Sequence, residues 1–400
     1  MCRRLALLVL LALVPRGIAA QTLPGGPVTA FDGRLSVGAE VSATYGDEDH
    51  SAYFNYTDYE HNTLRMMRIA LAAAWRPAAR FELVGEVRSE DFDQVRPYAA
   101  YLRVRPFPAH ALDVQVGRIP PSFGAYGRRA YQSDNTFIGY PLAYQYLTSL
   151  RPDAIPATVA DLLVMRGRGW QASYPVGSQE PGPGVPLVSA FRWDTGVQAH
   201  WEGPRVEVMG SVTAGTLAAP RSRDDNGGKQ LSGRVAVRPV AGLLLGGSAA
   251  RGEFLSDDVI ELLPSQDGPH AQTAFGADGE YSRDHWLVRG ELIWSRWNMP
   301  LITPQTIQDL DALGGWIEGR YRLTPRIVAA ARFDRLAFSE VQAGTGVMRT
   351  WEAGVRRSEA DAGYYLQRNL IVRFAVQHNA RDGGRVRSRT YFSGQMAYWF

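Results

Sequence analysis

The chain has 400 residues, 45% hydrophobic and 21% charged, which is too apolar a composition for a disordered polypeptide. Its 43 basic residues, less Arg3, Arg4 and Arg16 near the start, leave 40 against 40 acidic ones, so bulk charge gives no case for a nucleic-acid partner. Mean hydropathy is −0.21, and the one long apolar run, residues 5–14, falls short of the roughly 20 residues that a membrane helix needs.

Residues 1–20 have the form of a signal peptide. Arg3 and Arg4 precede the apolar run, and residues 15–20 supply a small-residue exit, so export and cleavage near Ala20 are expected. This segment carries Cys2, the sole cysteine, so the exported chain has no thiol for a disulfide or for metal chemistry. Residues 21–32 read as a short periplasmic tail.

From Gly33 onward the sequence alternates. Leu35, Val37, Ala39, Val41, Ala43 and Tyr45 fall on one face; Arg34, Ser36, Gly38, Glu40, Ser42 and Thr44 fall on the other. Similar stretches lie near residues 67–75, 80–90, 96–105, 111–117, 205–216, 230–238, 243–251, 271–282, 286–295, 313–323, 326–335, 349–356, 368–378 and 389–400. Their length of about ten residues suits a membrane strand better than a soluble sandwich, whose strands usually run five or six. Short connections alternate with long ones at 46–61, 118–193, 217–229, 252–270, 298–311, 336–348 and 379–388, with 91–95 as the exception. The fold class expected is therefore all-β: a transmembrane antiparallel β-barrel over residues 33–400. An even strand number puts residues 168–192 in a long third loop and gives sixteen strands; a membrane hairpin there would give eighteen. The last strand places Phe392, Met396, Tyr398 and Phe400 on one face, as in a C-terminal signal read by barrel-assembly machinery.

Residues 118–193 are the richest segment. Arg118 leads into Pro120 and Pro121, which stop sheet pairing. Arg128, Arg129, Tyr131, Tyr144 and Arg151 follow. A loop of this length is usually functional, and its guanidinium and phenol groups could narrow a pore and hold anions. Among inward positions given by the alternation, Arg103, Arg105, Arg320, Arg322, Arg332 and Arg356 are the candidates for positive charge in the lumen. Acids nearly balance the bases on that face, so most are expected to pair across strands and brace the wall. The seven histidines are scattered and form no zinc motif. There is no GxSxG elbow and no phosphate-binding P-loop. No metal, cofactor or catalytic set is expected.

The stretch 116–124, Val-Gly-Arg-Ile-Pro-Pro-Ser-Phe-Gly, resembles the junction before the third loop in the phosphate-selective porin family. Residues 194–200 resemble the strand returning from that loop, and 363–369 with 376–379 resemble the family's penultimate strand. The resemblance implies a sixteen-stranded, trimeric diffusion channel in the outer membrane of a Gram-negative-type bacterium, constricted by its third loop. It also implies a lysine cluster lining the pore, whereas Lys229 is the only lysine here. The expected function is passive diffusion of small anionic or neutral solutes with weak anion preference, amid outer-membrane lipid and lipopolysaccharide. A barrel enzyme of lipase or protease type and a plugged structural or adhesive barrel are the rivals.

Overall fold

The computed structural model describes residues 26–49, 54–57, 61–107, 110–127, 131–222, 227–265, 268–344, 346–384 and 386–400. The expected signal peptide, Arg128 and Arg129 lie outside these residues. Sixteen strands form the wall: β1 (Leu35–Gly46), β2 (Met67–Ala78), β3 (Phe81–Glu90), β4 (Val95–Val104), β5 (Leu112–Ile119), β6 (Asp194–Glu202), β7 (Val206–Thr213) and β8 (Gln230–Val237) make up the first half. The second half comprises β9 (Leu243–Glu253), β10 (Ala271–Arg283), β11 (Trp286–Leu301), β12 (Thr306–Arg322), β13 (Ile327–Phe338), β14 (Val355–Gln367), β15 (Leu370–Arg381) and β16 (Ser388–Trp399). Each pairs antiparallel with the next, and β16 pairs with β1 from Glu40↔Trp399 to Gly46↔Ser393, so the barrel is closed. Closure leaves no sheet edge with unpaired backbone groups, the condition a strand must meet in lipid.

The connections at one end, the turn end, all have two to seven residues, and β1 starts and β16 finishes there; the long loops lie at the other end, with the short connections 91–94, 302–305 and 382–387 among them. Along β16 the side chains alternate strictly. Tyr391, Ser393, Gln395, Ala397 and Trp399 are buried inward, and Phe392, Met396 and Tyr398 are exposed outward. The same period runs round the barrel, so Leu71, Val116, Val197, Val212, Leu231, Leu292, Ile317 and Phe374 form an exposed apolar outer band. Trp75, Phe81, Trp201, Trp286, Tyr321 and Tyr398 border it at the turn end, as an aromatic girdle borders the hydrocarbon of a bilayer.

Three expectations need correction. The strand expected at 349–356 is instead Val355–Gln367, while Met348–Thr350 pairs with Glu340–Gln342 in a small hairpin within the loop. The carboxylate of Glu352 accepts backbone N–H groups of Ser149 (2.9 Å), Gly167 (2.6 Å) and Ala353 (2.6 Å), which holds that stretch off the wall. The long connection expected at 298–311 is mostly strand, since β11 reaches Leu301 and β12 begins at Thr306. Inward Trp297, Met299, Leu301 and Leu310 are buried there, while Arg296, Asn298, Asp309 and Asp311 face outward, so the apolar-out, polar-in pattern is reversed. Finally, three residues of the expected tail, Val28–Ala30, pair with the start of β1.

Candidate functional site

Gly117 lies in β5 two residues before the chain leaves the wall. It has φ +129°, and a Cβ there would collide with the Ala100 carbonyl and lie 2.9 Å from the Tyr101 Cα. The chain then leaves β5 through Pro120 and Pro121 and turns into the barrel. Ser122 shares hydroxyl hydrogen bonds with Ser211 (2.8 Å) and Ser232 (2.6 Å) on β7 and β8. Gly124 donates its N–H to Ser248 on β9 (3.0 Å), and Ala125 donates to Glu291 on β11 (3.1 Å).

Residues 131–142 then reach the remaining wall. Tyr131 donates its hydroxyl to Glu86 on β3. Arg373 on β15 donates to the Gln132 carbonyl (2.6 Å) and side chain (2.7 Å), and the Ser133 amide donates to Glu40 on β1 (3.2 Å). Arg289 on β11 donates to the Asp134 carbonyl (3.3 Å), and Arg332 on β13 to the Gly139 carbonyl (2.8 Å). Tyr140 takes its contacts from two strands: Arg68 on β2 donates to its hydroxyl, and Arg357 on β14 to its carbonyl (3.0 Å). The loop is thus fastened to strands on opposite sides of the lumen, with charge-assisted bonds at most anchor points.

Beyond the anchors the loop folds a core of its own. The short helices α1 (Leu142–Gln145) and α2 (Val159–Val164) carry buried Leu142, Tyr144 and Leu162, which join Leu150, Ile155, Tyr174 and Leu187 against inward Ile293, Trp297, Leu310, Leu336 and Trp351. Thr158 and Asp161 close a capping box at the start of α2, satisfying two amides that the buried turn would otherwise orphan. Tyr144 donates to Glu291 at 2.7 Å. Burial first, and then the Glu291 carboxylate, push the Tyr144 phenol well above its ordinary range, so it remains a donor.

On the turn-end side of the loop the wall is charged and paired. Arg103 binds Glu82 (2.6 Å) and lies 3.8 Å from Asp113; His200 bridges Asp113 (3.4 Å) and Glu207 (3.3 Å). Arg234 continues to Glu207 (4.0 Å) and Asp278 (2.5 Å). This chain of opposite charges spans β3 to β10. Across the lumen Arg289 binds Glu318 (2.7 Å), while Arg332 meets Glu359 (2.6 Å), Asp334 (3.3 Å) and Glu318 (3.6 Å). Such pairing braces the wall and cancels most of its field.

Not every sequence-derived candidate stands among these anchors. Tyr131 and Tyr144 do. Arg118 is half-buried at the end of β5 and donates to the Tyr98 carbonyl (3.2 Å) and to Ser222 of the loop after β7. Arg151 is spent inside the loop, on Asp153 (2.7 Å) and on the Ala172 and Glu180 carbonyls. Arg103 and Arg332 point inward and are paired. Arg105 lies past the end of β4, exposed in the turn, and Arg322 is exposed at the end of β12, while Arg320 is half-buried on the inner face. Arg356 is a correction: it is exposed on the outer face of β14, and buried Arg357 takes the inward position. The error came from the misplaced start of the strand, because a shift of one residue exchanges the faces.

Sequence reasoning passed over Gln115 and Gln198, which are register partners on β5 and β6 and both buried inward. The Gln198 amide has no hydrogen-bond partner among the described residues. Lining up the two strands by their polar faces would have paired them.

No protein-family model and no curated sequence matches the chain. Solved structures do. A complex of Salmonella typhi OmpF with daunomycin aligns at TM-score 0.56 and 11% identity, over 93% of this chain and 100% of that one. The outer membrane channel DcaP of Acinetobacter baumannii aligns at 0.55 and 9%, over 93% and 100%. An anion-selective porin from Comamonas acidovorans aligns at 0.53 and 7%, over 92% and 99%. At such low identity the likeness concerns the backbone: this chain has the closed sixteen-stranded barrel fold that these outer-membrane porins and channels share.

Proposed function

We propose that the protein is a passive diffusion channel of the outer membrane for small hydrophilic solutes, with no chemical turnover. The observation that carries this reading is the third loop, drawn inside the barrel and fastened wall to wall by polar groups, so that a solute would pass beside those groups and not through a wide cylinder. The outer apolar band and the aromatic border support a place in a membrane. The leader sequence supports export, and the outward row Phe392, Met396, Tyr398 and Phe400 supports recognition by assembly machinery. A homotrimer surrounded by lipid and lipopolysaccharide belongs to the same proposal.

A weak anion preference is assigned to the turn-end mouth. Arg320 and Arg322 bring positive charge to the inner side of β12 and form no ion pair with a described residue, unlike the wall above them. Phosphate specificity is not part of the proposal. Lys229 is exposed in the loop after β7 and donates to the Gly228 carbonyl (3.2 Å), away from the lumen.

The test is single-channel conductance with zero-current potential across a KCl gradient. Small, stable steps with an anion-favouring potential are expected. A second reading, a barrel closed by its loop, is favoured by one observation: the apolar core between loop and wall. Silence from correctly folded protein would establish that reading and remove the channel.

A further inference from the structure

The misplaced Arg356 exposes a different feature. On the outer face of β13, Ile327, Ala329, Ala331 and Phe333 run from the turn end as apolar side chains, and Arg335 comes next. Arg335 and Arg356 are direct register partners on β13 and β14, and both are exposed outward. Like charges directly opposite on a sheet repel each other. Neither arginine forms a hydrogen bond or ion pair with any described residue.

Other outward arginines near the loop end are occupied. Arg296 binds Asp311 through two hydrogen bonds (2.6 and 2.9 Å) and lies 3.2 Å from Asp309. Arg251 donates to Thr273 (3.0 Å). The Arg335–Arg356 pair is thus two cations held side by side with no protein anion to relieve them. Its height is informative as well. Eight residues of strand separate Arg335 from Ile327, about 26 Å of extended chain. At the usual tilt that is about 20 Å along the barrel axis, near the far edge of an apolar band. Exposed Phe333 lies just below the pair and Phe374 on the next strand but one, an apolar surface for hydrocarbon.

We propose that Arg335 and Arg356 together hold the phosphate of an anionic lipid headgroup at the loop-end surface of the membrane, its acyl chains lying over Phe333 and the small residues beneath. Cβ atoms of directly opposed residues stand about 5 Å apart, so two guanidinium forks reach one phosphate or two adjacent ones. The charge complementarity, the absence of an internal partner and the apolar floor favour a lipid over a free ion. The proposal rests on the membrane-spanning reading above, but not on conduction.

The experiment uses full-length protein folded in neutral detergent and titrated with lipid A carrying both phosphates, with the same lipid stripped of phosphate, and with inorganic phosphate. Binding is read by native mass spectrometry, and folding of each variant by heat-modified gel mobility. Wild type should bind the phosphorylated lipid selectively, and Arg335→Gln/Arg356→Gln should bind it about 30-fold more weakly, from two lost surface cations. Arg251→Gln should behave as wild type. Equal binding by wild type and the double variant overturns the proposal. So does millimolar inorganic phosphate displacing the lipid from the pair as well as phosphorylated lipid does, which would make it a soluble-anion site. Because neither readout involves current, a silent barrel that binds the lipid refutes the channel alone, and a conducting one that does not refutes only the lipid site.

Discussion

Gly124 passes the β11 wall at φ +68°, where an added methyl group would press on both the Glu291 carboxylate and the Tyr144 hydroxyl. Gly124→Ala is expected to loosen the first anchor of the loop and cost about 1–3 kcal/mol. A urea titration of the refolded protein in detergent checks this; an unmoved midpoint would show that the contact is dispensable. Tyr144→Phe removes the donor to Glu291 and should cost about 1–2 kcal/mol by the same assay. At the far end of the loop, burial first raises the Glu352 carboxyl above its ordinary range, partly offset by the amides of Ala353, Gly167 and Ser149. The sign follows from linkage. A group whose pKa is higher when docked takes up its proton there first, so docking is strongest below the ordinary carboxylate pKa and weakens as pH rises through the docked value. Protease protection of the third loop should therefore increase on acidification from neutral pH, and Glu352→Gln should flatten that dependence. An identical pH profile in the variant would rule Glu352 out as its source.

The third loop is the element on which the channel reading turns. Deleting residues 131–187 should raise single-channel conductance several-fold, or open a channel where the intact barrel is silent; unchanged steps would move the resistance to another part of the lumen. Its existence and inward course were legible from length and from the two prolines after Arg118, because sheet pairing ends there on chemical grounds. Its anchoring was not. Seven of the wall groups that grip it, Glu40, Arg68, Glu86, Arg289, Arg332, Arg357 and Arg373, look in sequence like any other alternating charge, and their partners are mostly backbone carbonyls and amides, which carry no residue signature. The strands were legible wherever the polar face turned inward. They blurred at 298–311, where the loop's apolar core reaches the inner wall and Asn298, Asp309 and Asp311 face outward, so the alternation runs the other way, and at 349–356, where one buried carboxylate pulls the chain aside. The second error alone moved Arg356 to the wrong side of the barrel.

At the scale of the whole barrel, charge is distributed by sector. On the turn-end side the wall is paired from Glu82 round to Asp278, whereas Arg320 and Arg322 on β12 form no ion pair with a described residue. Arg320→Gln/Arg322→Gln should shift the zero-current potential towards cations with little change in conductance, whereas an unaltered potential would place selectivity elsewhere. The closing pair of strands has a separate implication. Backbone hydrogen bonds join Ala39 to Phe400 in both directions, at 2.9 and 3.0 Å, so β1 finds the neighbour on its closing edge only when β16 has been made. The strands β2 to β14 meet both neighbours earlier. Until β16 is made, β1 has an edge, covered only at its start by Val28–Ala30, that could pair with another chain, and something outside the wall strands must keep it unpaired. A circular permutant joined across the old ends and opened in the turn 238–242 would have the same ring, but its vulnerable edge would be β9, and the wait for a partner would fall on a different pair.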